Sequence, residues 1–345
     1  MFPQRLPAFK RHTFISTTLL ISLSLGFVGH ASSRPLAEKS GWGADLALTV
    51  GYSQKQSQFN VDDDNRVTQD LANSGKETSE ALTFPLARVD YTLEDLKTQF
   101  FVGNSRENVG KGAFQIELGA THQFKDNSKL TLAYFPELPF IGDTWKDPYL
   151  TGQAREKTEE TAQGGRMELS NVGGSLLDIQ YAFADNNIDS ELSGSNLAYL
   201  SDLDRSKLHR DAIFQRVSID HLVPLSANFM LKPGVMYTQA DAKGDANSSD
   251  EYAIRLQMIY RQSQHLLTGT ATYGHLKAKA NNPVFGQREK TDRVSLFALY
   301  KYQKPFNLDN WSLLAIGFLG ETDSNISFYN QSGLGVGIGA AYSWR

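Results

Sequence analysis

Arg216, Lys232, Arg255, Arg261, Arg293 and Lys301 each occupy a polar position in a segment where polar and apolar residues alternate. Period two puts alternate residues on one face of a β-strand, so these six cations share a face across several strands. Asp220 alone opposes them there. Asp45, Asp90, Glu117, Glu168 and Asp178 fall at equivalent positions earlier in the chain, accompanied by Arg88 and Arg166. A basic wall facing a more acidic one would set up a transverse field across any space between them. Charged walls control which ions pass a pore, and low-dielectric surroundings focus such a field. The same charges could instead pair with neighbours and keep an interior wet.

Other reactive residue types offer less. His122, His221 and His265 lie in or beside strands, without the Ser and carboxylate that hydrolysis would need beside them. His122 and His221 fall on the apolar register, where interfacial anchoring explains them. Asp202-Leu-Asp204 with His209 sits in a polar loop rather than at converging strand ends. Asp62-Asp-Asp-Asn65 could attract Ca²⁺ but lacks the spacing and the Gly of a calcium loop. No catalytic residue, metal ligand set or cofactor site is assigned, and the expectation is a protein without enzyme activity.

The elements that must position the charged face are strands. The clearest is the last, Ser332 to Trp344, where Leu334, Val336, Ile338, Ala340, Tyr342 and Trp344 alternate with Gly335, Gly337, Gly339, Ala341 and Ser343. One face can meet hydrocarbon, and the terminal aromatics suit a membrane–water interface. Trp42 to Tyr52 repeats the design, with Gly43, Asp45, Ala47, Thr49 and Gly51 on the other face. Further strong alternation runs over 114–121, 177–183, 229–238, 252–260 and 294–302. Weaker candidates lie near 81–92, 97–104, 129–136, 164–172, 211–222, 265–276 and 310–321. Fourteen strands result, an even number as in bacterial single-chain barrels. Pro85 and Pro233 fall inside candidates and predict bulges or rims.

Connections alternate long and short. Those near 53–80, 137–163 and 184–210 are long and polar; 94–96, 125–128, 173–174 and 262–264 are short. Barrels place long loops outside and short turns in the periplasm. The predicted fold is therefore all-β, a transmembrane antiparallel up-and-down barrel of fourteen strands in the cell outer membrane. A periplasmic sandwich would require neither end aromatics nor this loop rhythm. The first and last strands have small inward residues, which either help the seam bend or leave a bare wall beside the passage, facing the basic strands.

The N-terminus agrees. Arg5, Lys10 and Arg11 precede an apolar run from Phe14 to Val28, and Gly29-His30-Ala31 offers a cleavage site, so 1–31 reads as a signal peptide. The run, about 15 residues, is shorter than the roughly 20 of a spanning helix. Residues 32–40 form a short periplasmic segment and 41–345 the barrel. Residues 1–31 hold three basic and no acidic residues, so the mature charge falls to −7 from the −4 of the whole chain, which argues against nucleic acid as a partner. Cys is absent.

With its Gly-Trp-Gly start at 41, polar first loop and final Gly-Leu-Gly-Val-Gly strand, the chain resembles a porin-like outer-membrane barrel family of marine gammaproteobacteria that carries only a domain-of-unknown-function name. The resemblance implies an outer-membrane location and brings no substrate or catalytic residue. Fatty-acid transporters share the strand number but begin with a long plug, where only about ten residues, Ser32 to Gly41, stand here; sugar porins are similar in architecture alone. The expected role is a channel for passive diffusion of small polar or anionic solutes, lined by Arg216, Lys232, Arg255, Arg261, Arg293, Lys301, Asp45, Glu117, Glu168 and Asp178. The alternative is a surface-binding or structural barrel with a blocked lumen, decided by whether loop 137–163 folds inward. Expected partners are outer-membrane lipids and lipopolysaccharide, the barrel-assembly machinery and small polar solutes. Arg345 follows Trp344, whereas the usual assembly signal ends on the aromatic.

Overall fold

A computed structural model describes residues 36–104, 116–137 and 142–345. The segment expected to be a signal peptide, the first two residues of the 114–121 candidate and the apolar residues Leu138, Pro139 and Phe140 lie outside the described residues.

Fourteen strands close on themselves: β1 Gly41–Gln56, β2 Glu77–Thr92, β3 Thr98–Asn104, β4 Ile116–Gln123, β5 Lys129–Phe135, β6 Lys157–Ser170, β7 Leu177–Ile188, β8 Ala212–His221, β9 Phe229–Ala242, β10 Ser249–Gln262, β11 His265–Ala278, β12 Lys290–Gln303, β13 Trp311–Ser324 and β14 Gln331–Trp344. Each pairs antiparallel with its sequence neighbours. Closure comes from β1 against β14, in register from Ala44↔Trp344 to Gln56↔Ser332. Two short extended pieces, Asp143–Trp145 and Val223–Pro224, stand beside β6 and β9.

All fourteen sequence candidates are present. Several strands run farther than the alternation of apolar residues suggests. β1 continues through Ser53, Gln54, Lys55 and Gln56, paired with Glu80, Ser79, Thr78 and Glu77. These upper rungs stand in water, where the ladder persists without an apolar face. The sequence marks the lipid-facing part of each strand, not its full length.

The outward face is apolar. Trp42, Leu46, Leu48, Val50 and Tyr52 are exposed on β1, and Val336 and Ile338 on β14, while Asp45, Thr49 and Ser53 between them are buried. Apolar side chains left outside in this way have hydrocarbon as their solvent, and a closed barrel leaves no unpaired backbone edge within it. Trp42 packs edge-on to Tyr91, and Trp311 to Tyr342, near the periplasmic ends, where aromatic girdles belong. The protein is an outer-membrane β-barrel.

Of the two flagged prolines, Pro233 sits where a ladder stops. The β8–β9 ladder runs from Ala212↔Ala242 to Asp220↔Gly234, breaks at Pro233, and resumes at Val223↔Leu231. Proline has no N–H for that rung. Pro85 stands opposite Leu48 in the continuous β1–β2 ladder, with no break there.

Candidate functional site

The inner face carries ion pairs that skip a strand. Glu117 on β4 is fully buried and accepts from Arg166 on β6 at 2.9 and 3.0 Å and from Arg88 on β2 at 3.3 Å. Arg166 also reaches Glu168 at 2.7 Å. Asp178 on β7 holds Lys232 on β9 at 2.6 Å. Asp220 on β8 holds Arg255 on β10 at 2.6 Å, and Glu251 on β10 holds Arg293 on β12 at 3.0 Å. Arg216 donates to Thr238 at 2.9 Å. Arg261 and Lys301 flank Leu266 in register at the periplasmic end. Asp45 is held by Arg345 at 2.5 Å, and Arg345 also binds Asp90. The residue that departs from the usual terminal signal thus ties the seam strands to β2.

All ten candidate residues are on this inner face, but they do not form an unopposed basic wall. The pairing with neighbours that the sequence also allowed is present: Lys232, Arg255 and Arg293 each have a carboxylate within 3.0 Å. For Arg255 and Arg293, and likewise for Arg88, the physical reason is glycine. Gly103 stands between Arg88 and Glu117 in register, Gly234 between Asp220 and Arg255, and Gly274 beside Arg293. A Cβ on Gly234 would lie 2.0 Å from Asp220 Oδ1, and one on Gly274 2.7 Å from Glu251 Oε1. Missing side chains on the middle strand let charges two strands apart meet.

The bare wall at the seam is corrected too. Gly335 is covered by the Phe318 ring, whose nearest carbon would lie 2.2 Å from an added Cβ, and Gly337 and Gly339 by Thr49. Phe297, Leu299, Leu314 and Ala341 are buried together there, with Ala47, Ile316 and Phe318 against them. The glycines are seats for neighbouring side chains. One sector of the inner wall is therefore apolar, opposite in character to the ion-paired strands.

Over the outer ends, the loops share one apolar core. Tyr149 comes from the β5–β6 loop, Leu200 and Leu208 from β7–β8, Ala246 from β9–β10, and Ile326, Phe328 and Tyr329 from β13–β14. Phe59 and Leu71 of β1–β2 and Phe285 of β11–β12 pack against them. Tyr149 stacks on Phe328 at 5.1 Å. The β5–β6 and β13–β14 hairpins stand on nearly opposite sides of the ring, so their contact spans the mouth. The described part of the β5–β6 loop thus lies over the outer opening.

Two buried cations fasten this cap. Arg155 donates to Gln58 O at 2.9 Å, also to Asn65 O, and lies 4.6 Å over the Trp145 ring. Burial pulls its guanidinium down to about 10, against which Asp147 pulls upward. Arg210 donates to Trp145 O at 2.6 Å and to Glu191 at 2.7 Å. Neither cation was singled out from sequence; a lone Arg in a polar loop has no periodicity to mark it.

The remaining candidates do local work. Asp62 accepts from Asp64 N at 2.9 Å, Asp63 pairs with Lys157 at 3.2 Å, and Asn65 bonds loop backbone. Asp202 and Asp204 pair with Arg205 and Lys207 of their own short helix. His265 Nδ1 meets Tyr300 OH at 2.7 Å and His122 Nδ1 meets Thr98 at 3.0 Å. A groove of about 580 Å³ at the Pro233 break, lined by Ile219, Val235, Ile254, Leu256 and Val294, faces lipid.

The family described as "Protein of unknown function (DUF2860)" matches residues 41–343. No curated protein matches. Among solved structures, the chain is similar to an in-vitro folded OmpT, an outer membrane protein of Vibrio cholerae (12% identity, TM-score 0.40, 90% of this chain and 100% of that one). It is also similar to a Pseudomonas aeruginosa FadL homologue (12%, 0.43, 90% and 93%) and to the CymD monoaromatic hydrocarbon channel (12%, 0.45, 90% and 90%).

Proposed function

The chain belongs to the DUF2860 family, and from that premise we propose that it is an outer-membrane channel for passive diffusion of small polar solutes, governed at its outer mouth by the loop cap. The observation that carries this is the ion-paired inner face within a closed barrel of fourteen strands. Eight-stranded barrels fill their interior with side chains and sixteen-stranded ones leave an aqueous channel. The Lys232–Asp178 and Arg293–Glu251 pairs stay partly exposed on that face, which supports a hydrated space beside them, while the Arg166–Glu117 pair is buried.

Arg216, Lys232, Arg255, Arg261, Arg293 and Lys301 lie along β8 to β12, with Asp45, Glu117, Glu168 and Asp178 at other inner positions. Basic residues outnumber acidic ones on the inner face, which supports a mild preference for anionic solutes. Close pairing makes that preference weaker than a free basic wall would give, because each pair's field decays as a dipole's. Liposome swelling tests the reading. Vesicles holding the protein should admit small sugars and organic anions, anions somewhat faster; no entry of either would overturn it.

A second reading has its own observation. Six loops unite in one apolar core across the mouth, which supports a barrel that presents a fixed outer surface and passes nothing. The swelling assay separates the two.

A further inference from the structure

The outward residues at the top of β11 and β12 form a column of pairs: Tyr273↔Val294, His275↔Asp292 and Lys277↔Lys290. Tyr273 and Val294, both about half exposed, end the apolar belt. The two lysines stand four residues higher, about 13 Å along a tilted strand, at the depth of lipid headgroups rather than acyl chains. Both are exposed, and neither makes an ion pair among the described residues.

Like charges directly opposite on adjacent strands destabilise a sheet. Nearby carboxylates make their own hydrogen bonds, and none forms an ion pair with either lysine among the described residues. Asp292 is taken by His275 Nδ1 and by Tyr273 OH, each at 2.8 Å. Asp250, opposite Lys277 on β10, accepts from Tyr237 OH at 2.7 Å. Glu289 accepts from Thr291 at 2.8 Å. Asp323 stands opposite Asp292, not opposite a lysine. Lys279 and Arg288, at the two ends of the same loop, add two more exposed cations without an ion pair among the described residues.

We infer that this rim binds a phosphate-bearing lipid headgroup of the outer leaflet, with Lys277 and Lys290 sharing one phosphate. A phosphate between them turns repulsion into two charge-assisted bonds. The source is a lipid rather than a free anion, because these side chains point away from the lumen and stand directly above the lipid-facing belt.

The test uses the purified full-length barrel in neutral detergent. It is titrated with bisphosphorylated lipid A, with the same lipid dephosphorylated, and with inorganic phosphate, reading bound lipid by native mass spectrometry and melting by heat-modifiable gel mobility. Bisphosphorylated lipid A should bind and raise the melting temperature, and K277Q/K290Q should weaken binding at least tenfold. Without lipid the double variant should melt close to the wild type, since neither lysine makes an ion pair among the described residues. K97Q, at an exposed lysine of a periplasmic turn, should leave binding unchanged. Equal binding of the dephosphorylated lipid, an equal shift from inorganic phosphate, or undiminished binding by the double variant would overturn the assignment.

Discussion

Tyr149 and Tyr329 stand 180 residues apart in sequence and meet hydroxyl to hydroxyl at 3.2 Å. Asn282 donates to both, at 3.1 and 2.7 Å. Three loops from separate hairpins are thereby joined at one buried polar point within an aromatic cluster. Asn282→Ala should take one hydrogen bond from each phenol, leaving them only each other, and cost the cap about 1–3 kcal/mol. Limited proteolysis would show it as faster cleavage in the outer loops, with the barrel's own melting unchanged.

The same pair gives the cap a pH dependence. Burial pushes both phenols up, Tyr329 well above the ordinary value. In an opened cap they would ionise near pH 10, so above that pH the open state binds fewer protons than the closed one. Linkage then makes cap stability fall as pH rises through about 10 and continue to fall until the folded values are reached; below that these two groups contribute no slope. Phenolate absorbance should show both tyrosines ionising together as the cap opens, and Tyr149→Phe should reduce the step. Gradual, independent ionisation near pH 10 would contradict this.

Gly234 tests the strand-skipping pairs. Gly234→Ala puts a methyl where Asp220 Oδ1 now sits and should part Asp220 from Arg255. Separating a buried pair costs about 3–5 kcal/mol, read as a drop in melting temperature. In an Asp220→Ala/Arg255→Met background, which removes both the pair and the oxygen that the methyl meets, the same substitution should cost much less. Equal losses in both backgrounds would show that the glycine serves the backbone instead.

This relation also shows what was legible beforehand. Strand number, the inward register of Arg255 and Asp220, and the sidedness of the loops follow from period-two alternation and connection length, because lipid imposes one rule on every strand. The pairing was hidden because it depends on stagger between strands. Gly234 and Gly274 were the available signal: an inward glycine between an acid and a base two strands apart. The loop core was less legible still. Tyr149 and Phe285 have no aromatic beside them in sequence and Phe328 adjoins Tyr329, with no period to join the three loops.

Gly51 and Gly335 should differ in tolerance. A Cβ on Gly51 would lie 2.1 Å from Val336 O and 2.7 Å from Gly337 Cα, both seam backbone, whereas one on Gly335 meets the Phe318 ring. A ring can turn, at about 1–3 kcal/mol; a closing strand cannot retreat without loss of its ladder. Gly51→Ala should therefore reduce the folded fraction on refolding into detergent more than Gly335→Ala, as seen by heat-modifiable mobility.

Single-channel conductance across a planar bilayer tests the central claim most directly, that a polar lumen lies under a cap that controls entry. The wild type should show brief or small openings, and Tyr149→Ala/Phe328→Ala, which removes the stacked pair at the centre of the cap, should show longer and larger ones. Steady wide openings in the wild type that this substitution leaves unchanged, or no current from either protein, would contradict the account.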